Sequence, residues 1–504
     1  MPTALLSVWD KSGLVPFAKE LEKRNWRLVA SGGTEQALRE AGLDVCAVSD
    51  LTGLPAMLGG RVKTLHPAIH AGLLARDTAE DRRTLEQHGW PMIDMVVVNL
   101  YPFEETVADP EVTLAQAIEK IDIGGVALLR AAAKNHHRVT VLCDPADYAS
   151  ALDVEDPQAF RLQMACKAFS RTAAYDSAIQ RYLSQFAGEE PQLEMRFFPV
   201  QELRYGENPH QSARLYGEHA GDGPLGGELL HGKPLSFNNL LDLDAALRTV
   251  ERFSEPAVAV MKHVSPCGVA TSQDVSTALP LAIASDPVSA FGSVIACNRE
   301  VDAAFVDALG KLFVECIVAP AFQTQALQAL SKRKNLRLLC VPQRPSRARF
   351  EIRSIVGGLL QQEVDRGDPQ DAPPWQVVSK RTPSQEQERA LRFAWQAVQT
   401  VKSNAVLLAR VDGNGAYTVG IGGGQPNRVD CVRIAGVRAG ERSQGSVLAS
   451  DAFFPFPDGV QEAAALGVEA IVQPGGSVRD ALAIEAADEA GIVMIFTGVR
   501  HFRH

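Results

Sequence analysis

The chain has 504 residues, 46% apolar and 22% charged, and carries a formal net charge of −10. That length predicts about three folding units, and the composition excludes a disordered or fibrous chain. The acidic balance argues against a nucleic-acid binder, which would show a basic stripe, but leaves room for small anionic substrates held by a local cluster of cations. Eight cysteines (46, 143, 166, 267, 297, 316, 340 and 431) occur as singles without a C-x-x-C. Zinc-ribbon and thioredoxin motifs are therefore absent, and the pattern fits a reducing compartment. The start, MPTALLSVWDKSG, has no basic segment leading into an apolar one, and the longest apolar runs are strand-length, far short of a membrane span. The expected location is the cytoplasm, with no membrane partner.

In chain order, short Val- and Leu-rich runs at 4–8, 27–31, 44–48, 95–100 and 138–143 predict strands. Helical patterns lie between them at 11–24, 34–42 and 125–136. Such alternation predicts an α/β unit with a parallel sheet covered on both faces. A longer helical stripe at roughly 157–186 either packs on that unit or mediates association. The polar break GEEPQLE (188–194) is the expected domain boundary, giving 1–190 (a core of about 1–147 plus the helical extension) and 195–504. The Pro- and Asp-rich stretch 365–375 predicts a connection between two lobes, about 195–365 and 375–504. A Ser-Asp-x4-Phe spacing recurs at Ser285-Asp286…Phe291 and Ser450-Asp451…Phe456, a faint sign of duplication.

Ser31-Gly32-Gly33-Thr34 follows a predicted strand and opens a helix, where backbone N–H groups and the helix dipole suit an anion. A plain strand-to-helix turn explains it equally well. Within 59–76, Arg61, Lys63, Thr64, His66, His70 and Arg76 crowd together in an acidic chain. Phosphate recognition suits Arg61, Lys63 and Thr64. A His66–His70 metal pair is disfavoured, because Pro67 argues against a regular helix there and no Glu follows His66 as in H-E-x-x-H. NLYPF puts Asn99 and Tyr101 at a strand's carboxyl edge, where open α/β sheets bind ligands. Asp122 precedes Gly124-Gly125 at a helix start, where it also reads as an N-cap, and Lys134 closes that helix.

SGGT, GGRVKTLHP, NLYPF and IDIGG-x-LLRAAAKNH, in this order over about 1–190, resemble the IMP cyclohydrolase half of a family of bifunctional purine-biosynthesis enzymes. The resemblance implies a methylglyoxal-synthase-like, Rossmann-like parallel sheet and an intramolecular dehydrative ring closure. It implies that Lys63, Tyr101, Asp122 and Lys134 line the reacting end. Ser31, Gly32, Gly33, Thr34, Arg61 and Thr64 would hold phosphate and ribose, with Asn99 and Gly124 also on the substrate side. Relatives carry a small hydroxyl residue where this chain has Trp9, which removes one potential nucleotide contact.

Further along, LRYGENPHQ carries Arg204 and Tyr205 in a loop. MKHVSPCGVA follows an apolar run, so Lys262 and His263 emerge at a strand end, and Pro266 and Gly268 are expected to force the turn. A cation beside an imidazole favours the neutral, basic form; a solvated Lys-His pair is the plainer alternative. Cys267 reads either as a nucleophile or as a small residue filling a turn. GIGGG lacks the following features of a dinucleotide fingerprint. SDAFFPFPDGV reads as a stacking loop for a flat ligand or as an apolar plug.

With KSNAVLLAR and QPGGSVRD, these segments resemble the AICAR transformylase half of the same family. The resemblance implies two cytidine-deaminase-like lobes without the deaminase zinc, matching the absence of H-x-E…P-C-x-x-C. It implies formyl transfer from 10-formyltetrahydrofolate, with His263 as proton acceptor and Lys262 and Asn404 positioning the reactants. Arg204, Tyr205, Asn239, Glu315 and Arg500 would bind the nucleotide, and Phe453, Asp458, Ser477 and Val429 the folate. It further implies a homodimer and no catalytic metal. Relatives are longer around 340–390 and differ at Pro426-Asn427, on the folate side. The alternative readings are a regulatory nucleotide sensor, which leaves Lys262, His263 and Asn404 unexplained, and a deaminase.

Overall fold

The computed structural model describes residues 1–190, 192–342, 349–413 and 415–504. They form two compact units, Met1–Met195 and Arg196–His504. Pro191 of the expected boundary and 343–348 of the expected shortening lie outside the described residues.

In the first unit, β1 (Thr3–Val8), β2 (Arg27–Ala30), β3 (Val45–Ala47), β4 (Met95–Asn99) and β5 (Thr140–Leu142) form one parallel sheet in the order β3-β2-β1-β4-β5. Its strands are buried on both faces, which is why they read as continuous apolar runs. The order reverses direction between β1 and β4, so the carboxyl ends of these two neighbours flank a switch-point crevice. The 31-residue helix Pro157–Ala187 packs on this core through Met164, Ala165, Ala168 and Tyr175. The expectation of no regular helix around Pro67 was wrong. Pro67 opens the helix Pro67–Leu74 at its first position, where its missing N–H costs nothing, and His66 caps that helix by accepting the Ala68 N–H on Nδ1 at 3.1 Å.

In the second unit, β6 (Phe198–Leu203) and β7 (Ala213–Gly217) form a separate ribbon. A large mixed sheet then takes β8 (Glu228–His231), β9 (Ala257–Lys262), β10 (Ser265–Thr271), β11 (Ser293–Cys297), β12 (Val314–Ala319) and β13 (Arg337–Cys340). After the exposed hairpin of β14 (Phe350–Ile355) and β15 (Gly358–Glu363), it continues with β16 (Gln376–Val377), β17 (Ala405–Asp412), β18 (Gly415–Gly423), β19 (Val447–Ser450), β20 (Ala470–Gln473) and β21 (Val493–Phe496). Its order is β16-β21-β20-β19-β17-β18-β10-β9-β11-β12-β13-β8. The pattern is duplicated: β9–β10 and β17–β18 are hairpins, β11 and β19 run antiparallel to the first strand of each, and two further parallel strands follow. β10 and β18 join the halves.

The Ser-Asp-x4-Phe spacing is not the trace of this duplication. Ser285 ends a helix, whereas Ser450 ends a strand. The related feature is glycine placement under the helix that follows each hairpin. A Cβ on Gly268 of β10 would sit 2.0 Å from the Ala282 carbonyl oxygen, and Cβ atoms on Gly420 and Gly422 of β18 would sit 2.1 Å from those of Ala435 and Cys431. Close helix-on-strand packing thus explains Gly420 and Gly422 of GIGGG. Gly268→Ala should lower the stability of this unit by about 1–3 kcal/mol, because the obstacle is backbone that cannot rotate away. Chemical denaturation checks this, and an unchanged midpoint would refute the packing argument.

Candidate active sites

At the switch point of the first unit, Asn99 ends β4 and ties it to the loop after β1. Its Oδ1 accepts the N–H groups of Trp9 (2.6 Å) and Asp10 (2.9 Å), and its Nδ2 donates to the Asp10 carbonyl at 2.8 Å. Ser31 stands at the start of the helix Gly32–Glu40 without a side-chain capping bond, so the first turn of that helix faces the same end. A Cβ on Gly32 would lie 3.4 Å from Lys63 Nζ, and one on Gly33 3.8 Å from Lys11 Nζ. Two ammonium groups therefore flank the glycine pair. Lys11 is the residue that sequence reasoning missed, although its place just beyond β1 was the available signal. Thr34 is buried, and its hydroxyl is spent on β1, accepting from the Val8 N–H (2.9 Å) and donating to the Val8 carbonyl (3.1 Å). Arg61 is exposed and paired with Glu119.

Asp122 faces Lys63 across this end. Burial pushes its carboxyl above the usual carboxylate range, and N–H groups of Gly125 (2.7 Å) and Tyr101, with the Lys63 charge, recover part of that shift. Tyr175, from the long helix, accepts the Asp122 N–H at 2.8 Å and fixes the segment. Thr64 is buried close to Gly124, 3.0 Å from where a Cβ would sit. Tyr101 meets the ring of Trp9 edge-on at 5.1 Å. Lys134 is not brought here. It ends the helix Gly124–Lys134, ten residues and about 15 Å from its start. It leads into Arg138, which pairs with Asp94 at the amino end of β4.

In the second unit, strand directions collect the candidates at one end of the large sheet. Lys262 ends β9, and Asn404 immediately precedes β17. β19, β20 and β21 also end there, while β11 and β12 begin there. The expected turn at Pro266–Gly268 was misplaced. These residues lie inside β10, and His263 and Val264 make the turn themselves, because Lys262 already pairs with Ser265. Lys262 Nζ donates to the Phe291 carbonyl at 2.8 Å, and His263 is exposed. Cys267 is no nucleophile: burial pushes its thiol up to about 12.

Asn239 is buried, with Oδ1 accepting the Ser236 N–H in a capping box and Nδ2 donating to Glu315 Oε2 at 2.9 Å. Glu315 is the second residue of β12 and also faces Arg337 at 4.0 Å. The loop bearing Arg204 and Tyr205 touches the start of the same helix, where Asn238 donates to the Glu207 carbonyl at 3.4 Å. Asn404 is held on all sides: Nδ2 donates to the carbonyls of Gln425 (2.8 Å) and Pro426 (3.1 Å), and Oδ1 accepts from Arg428 at 2.6 Å. Arg428 in turn pairs with Asp451, which is 0% exposed and also receives the Ser403 hydroxyl and the Ala405 N–H. A pocket of about 410 Å³ opens beside Asn404, lined by Gly424, Pro426, Phe502 and His504.

The aromatic loop splits its roles. Phe454 is core, Phe456 is exposed under Arg479, and Phe453 lies between. Asp458 opens a helix, Ser477 sits in the turn after β20, and Val429 is buried in the first turn of the helix Arg428–Ala439.

Arg500 lies exposed in the C-terminal tail, over the ring of Phe502. The tail is fixed by His501, which is 3% exposed and bonded through Nδ1 to Asp365 (2.7 Å) and through Nε2 to Asp368 (2.8 Å). Asp368 also accepts from Trp395. The stretch expected only to connect lobes thus anchors the tail. Both carboxylates accept, so both ring nitrogens donate and the ring is charged. Burial alone would lower the His501 pKa, but the two carboxylates outweigh it and hold it above the ordinary 6.5; the carboxyls, which burial would raise, are held below 3.8 by the same bonds. The anchor is therefore at full strength between about 3.8 and 6.5, weakening as pH rises through the raised His501 value and as it falls through the lowered carboxyl values. Unfolding midpoints of this unit should fall on alkalinisation more in the parent than in His501→Gln. Parallel curves would refute the anchor.

Among the described residues no group of three or more His, Cys, Asp or Glu side chains is arranged to hold a metal ion, and no helix is long and apolar enough to cross a membrane.

A family model described as the AICARFT/IMPCHase bienzyme matches residues 132–438, and one described as an MGS-like domain matches 13–127. Proteins of Halalkalibacterium halodurans (49% identical over 517 residues), Streptococcus mutans (49% over 518) and Synechococcus elongatus (51% over 515) are similar from end to end. Each match covers 99% of this chain and 99% of the relative, and each relative is named bifunctional purine biosynthesis protein PurH. A solved structure titled "Crystal structure of ForH" is 40% identical, covering 35% of this chain and 96% of its own, at a TM-score of 0.32.

Proposed function

The chain belongs to the AICARFT/IMPCHase bienzyme family, and from that premise we propose which residues carry its two reactions and with what co-substrate. It is a bifunctional enzyme of purine biosynthesis, acting as AICAR formyltransferase and IMP cyclohydrolase in the last two steps to IMP.

Formyl transfer belongs to the second unit. The 5-amino group of AICAR attacks the formyl carbon of 10-formyltetrahydrofolate, His263 takes the amine proton, and the tetrahedral intermediate releases tetrahydrofolate as N10 regains a proton. That amine is conjugated and weakly nucleophilic, so base assistance matters. Lys262 and Asn404 orient the reactants and steady the intermediate. Arg204, Tyr205, Glu315 and Arg500 take the nucleotide, with Asn239 holding Glu315. Phe453, Asp458, Ser477 and the segment at Val429 face the folate. The observation carrying this reading is the convergence of Lys262, His263 and Asn404 on one end of one sheet.

Ring closure belongs to the first unit. The carboxamide nitrogen attacks the formyl carbon on the same nucleotide, and water leaves. Lys63 steadies the oxygen charge, while Asp122 and Tyr101 serve the proton transfers. Ser31, Gly32, Gly33, Arg61 and Thr64, with Lys11, hold the phosphate and ribose. Lys134 has no place in this assignment. Neither step uses a metal.

The enzyme acts as a cytoplasmic homodimer. The exposed apolar residues of the β14–β15 hairpin, Phe350, Ile352, Ile355, Leu359 and Leu360, support a covering partner. Purified protein given AICAR and 10-formyltetrahydrofolate should form IMP, followed by absorbance; nucleotide binding without turnover would overturn the reading.

A further inference from the structure

The turn that presents His263 is made of residues that disfavour it. His263 and Val264 have φ of 53° and 61°, the left-handed pair of a two-residue hairpin for which Asn-Gly is the natural choice. A β-branched valine there is an outlier, and such strain persists only where the surroundings impose it. The two-residue connection between the paired Lys262 and Ser265 calls for it, and one carboxylate holds it in place. Asp242 Oδ1 accepts the Val264 N–H at 2.6 Å, and the same carboxylate receives the His263 N–H. Asp242 is half-buried and stands on the helix Phe237–Val250, whose start is locked by the Ser236–Asn239 capping box. Three residues earlier on that helix, Asn239 holds Glu315, so one rigid helix face reaches both the strand edge and the turn.

We propose that Asp242 is a positioning residue for formyl transfer: from a rigid helix, its carboxylate holds the left-handed turn that aims the His263 imidazole at the substrate amine. This rests on His263 being the proton acceptor. Asp242 touches no reacting atom; it acts through the backbone of residues 263 and 264.

The test measures kcat and KM for both reactions in Asp242→Ala, Asp242→Asn, Val264→Gly and the double variant Asp242→Ala/Val264→Gly. Asp242→Ala should lower kcat for formyl transfer about 10- to 100-fold, the scale of a small misplacement of a catalytic group, with KM for AICAR within about threefold. Asp242→Asn, which keeps an acceptor oxygen, should retain most activity. Glycine adopts positive φ without penalty, so Val264→Gly should restore part of the kcat lost in Asp242→Ala, a rescue that a merely structural defect would not show. Should Asp242→Ala fail to fold, Asp242→Ser, too short to reach the turn, replaces it. Full kcat in Asp242→Ala, or no rescue by Val264→Gly, overturns the proposal while leaving His263 as the base. Formyl transfer surviving in His263→Ala overturns both.

Discussion

Replacing His263 by alanine should reduce formyl transfer about 10²- to 10⁴-fold, the usual contribution of a positioned general base, while ring closure of pre-formylated nucleotide proceeds at the parent rate. The separation follows from the assignments. His263 stands on the β9–β10 turn of the second unit, whereas Lys63 and Asp122 belong to the first. Stability should hardly change, because His263 is exposed and exposed substitutions stay within about 0.5 kcal/mol. Separate assays of AICAR consumption and of IMP formation from FAICAR decide it. Equal loss of both activities would contradict two independent sites, and retained formyl transfer would remove His263 from the mechanism.

Breaking the Arg428–Asp451 pair should be the most destabilising single change near either site. Both partners are almost wholly buried, Arg428 7% and Asp451 0% exposed. Removing one leaves a buried charge alone, at a cost of about 3–5 kcal/mol. Asp451→Ala also strands the Ser403 hydroxyl and the Ala405 N–H, and it loosens Arg428, which holds Asn404. The unfolding midpoint of the second unit should drop sharply, and formyl transfer with it. The double variant Arg428→Met/Asp451→Leu separates the two effects. A well-packed apolar pair recovers part of the stability, with the Ser403 hydroxyl and Ala405 N–H still lacking their acceptor, but it gives Asn404 Oδ1 no donor, so formyl transfer should stay impaired. Recovery of both would mean that the ion pair is scaffolding only.

The unevenness of what was legible follows from range. The five strands of the first unit stood out because each is an apolar run buried on both faces, and the helices between them kept a 3.6-residue stripe. The helix starting at Pro67 was misread because proline was weighed as a breaker before its place in the first turn was known. The β9–β10 turn was misplaced because Pro266 and Gly268 are strong local punctuation, whereas a left-handed His263-Val264 is held by Asp242, more than twenty residues away. Thr34 looked like a phosphate ligand, and only the return of β1 beside it shows its hydroxyl already used.

The sequence by itself determined the chemistry available: which strands and helices form, where cations and glycines lie together, and through its motifs the family. Those depend on residue types within a few positions of one another. Tertiary structure decided which of these groups meet. It put Lys262 and Asn404 at one sheet end through the pairing of β10 with β18. It also turned Asp365 and Asp368, which had looked like linker, into the anchor of the tail. Strand order and register are set by which apolar faces cover one another, and no local window of residues encodes that choice.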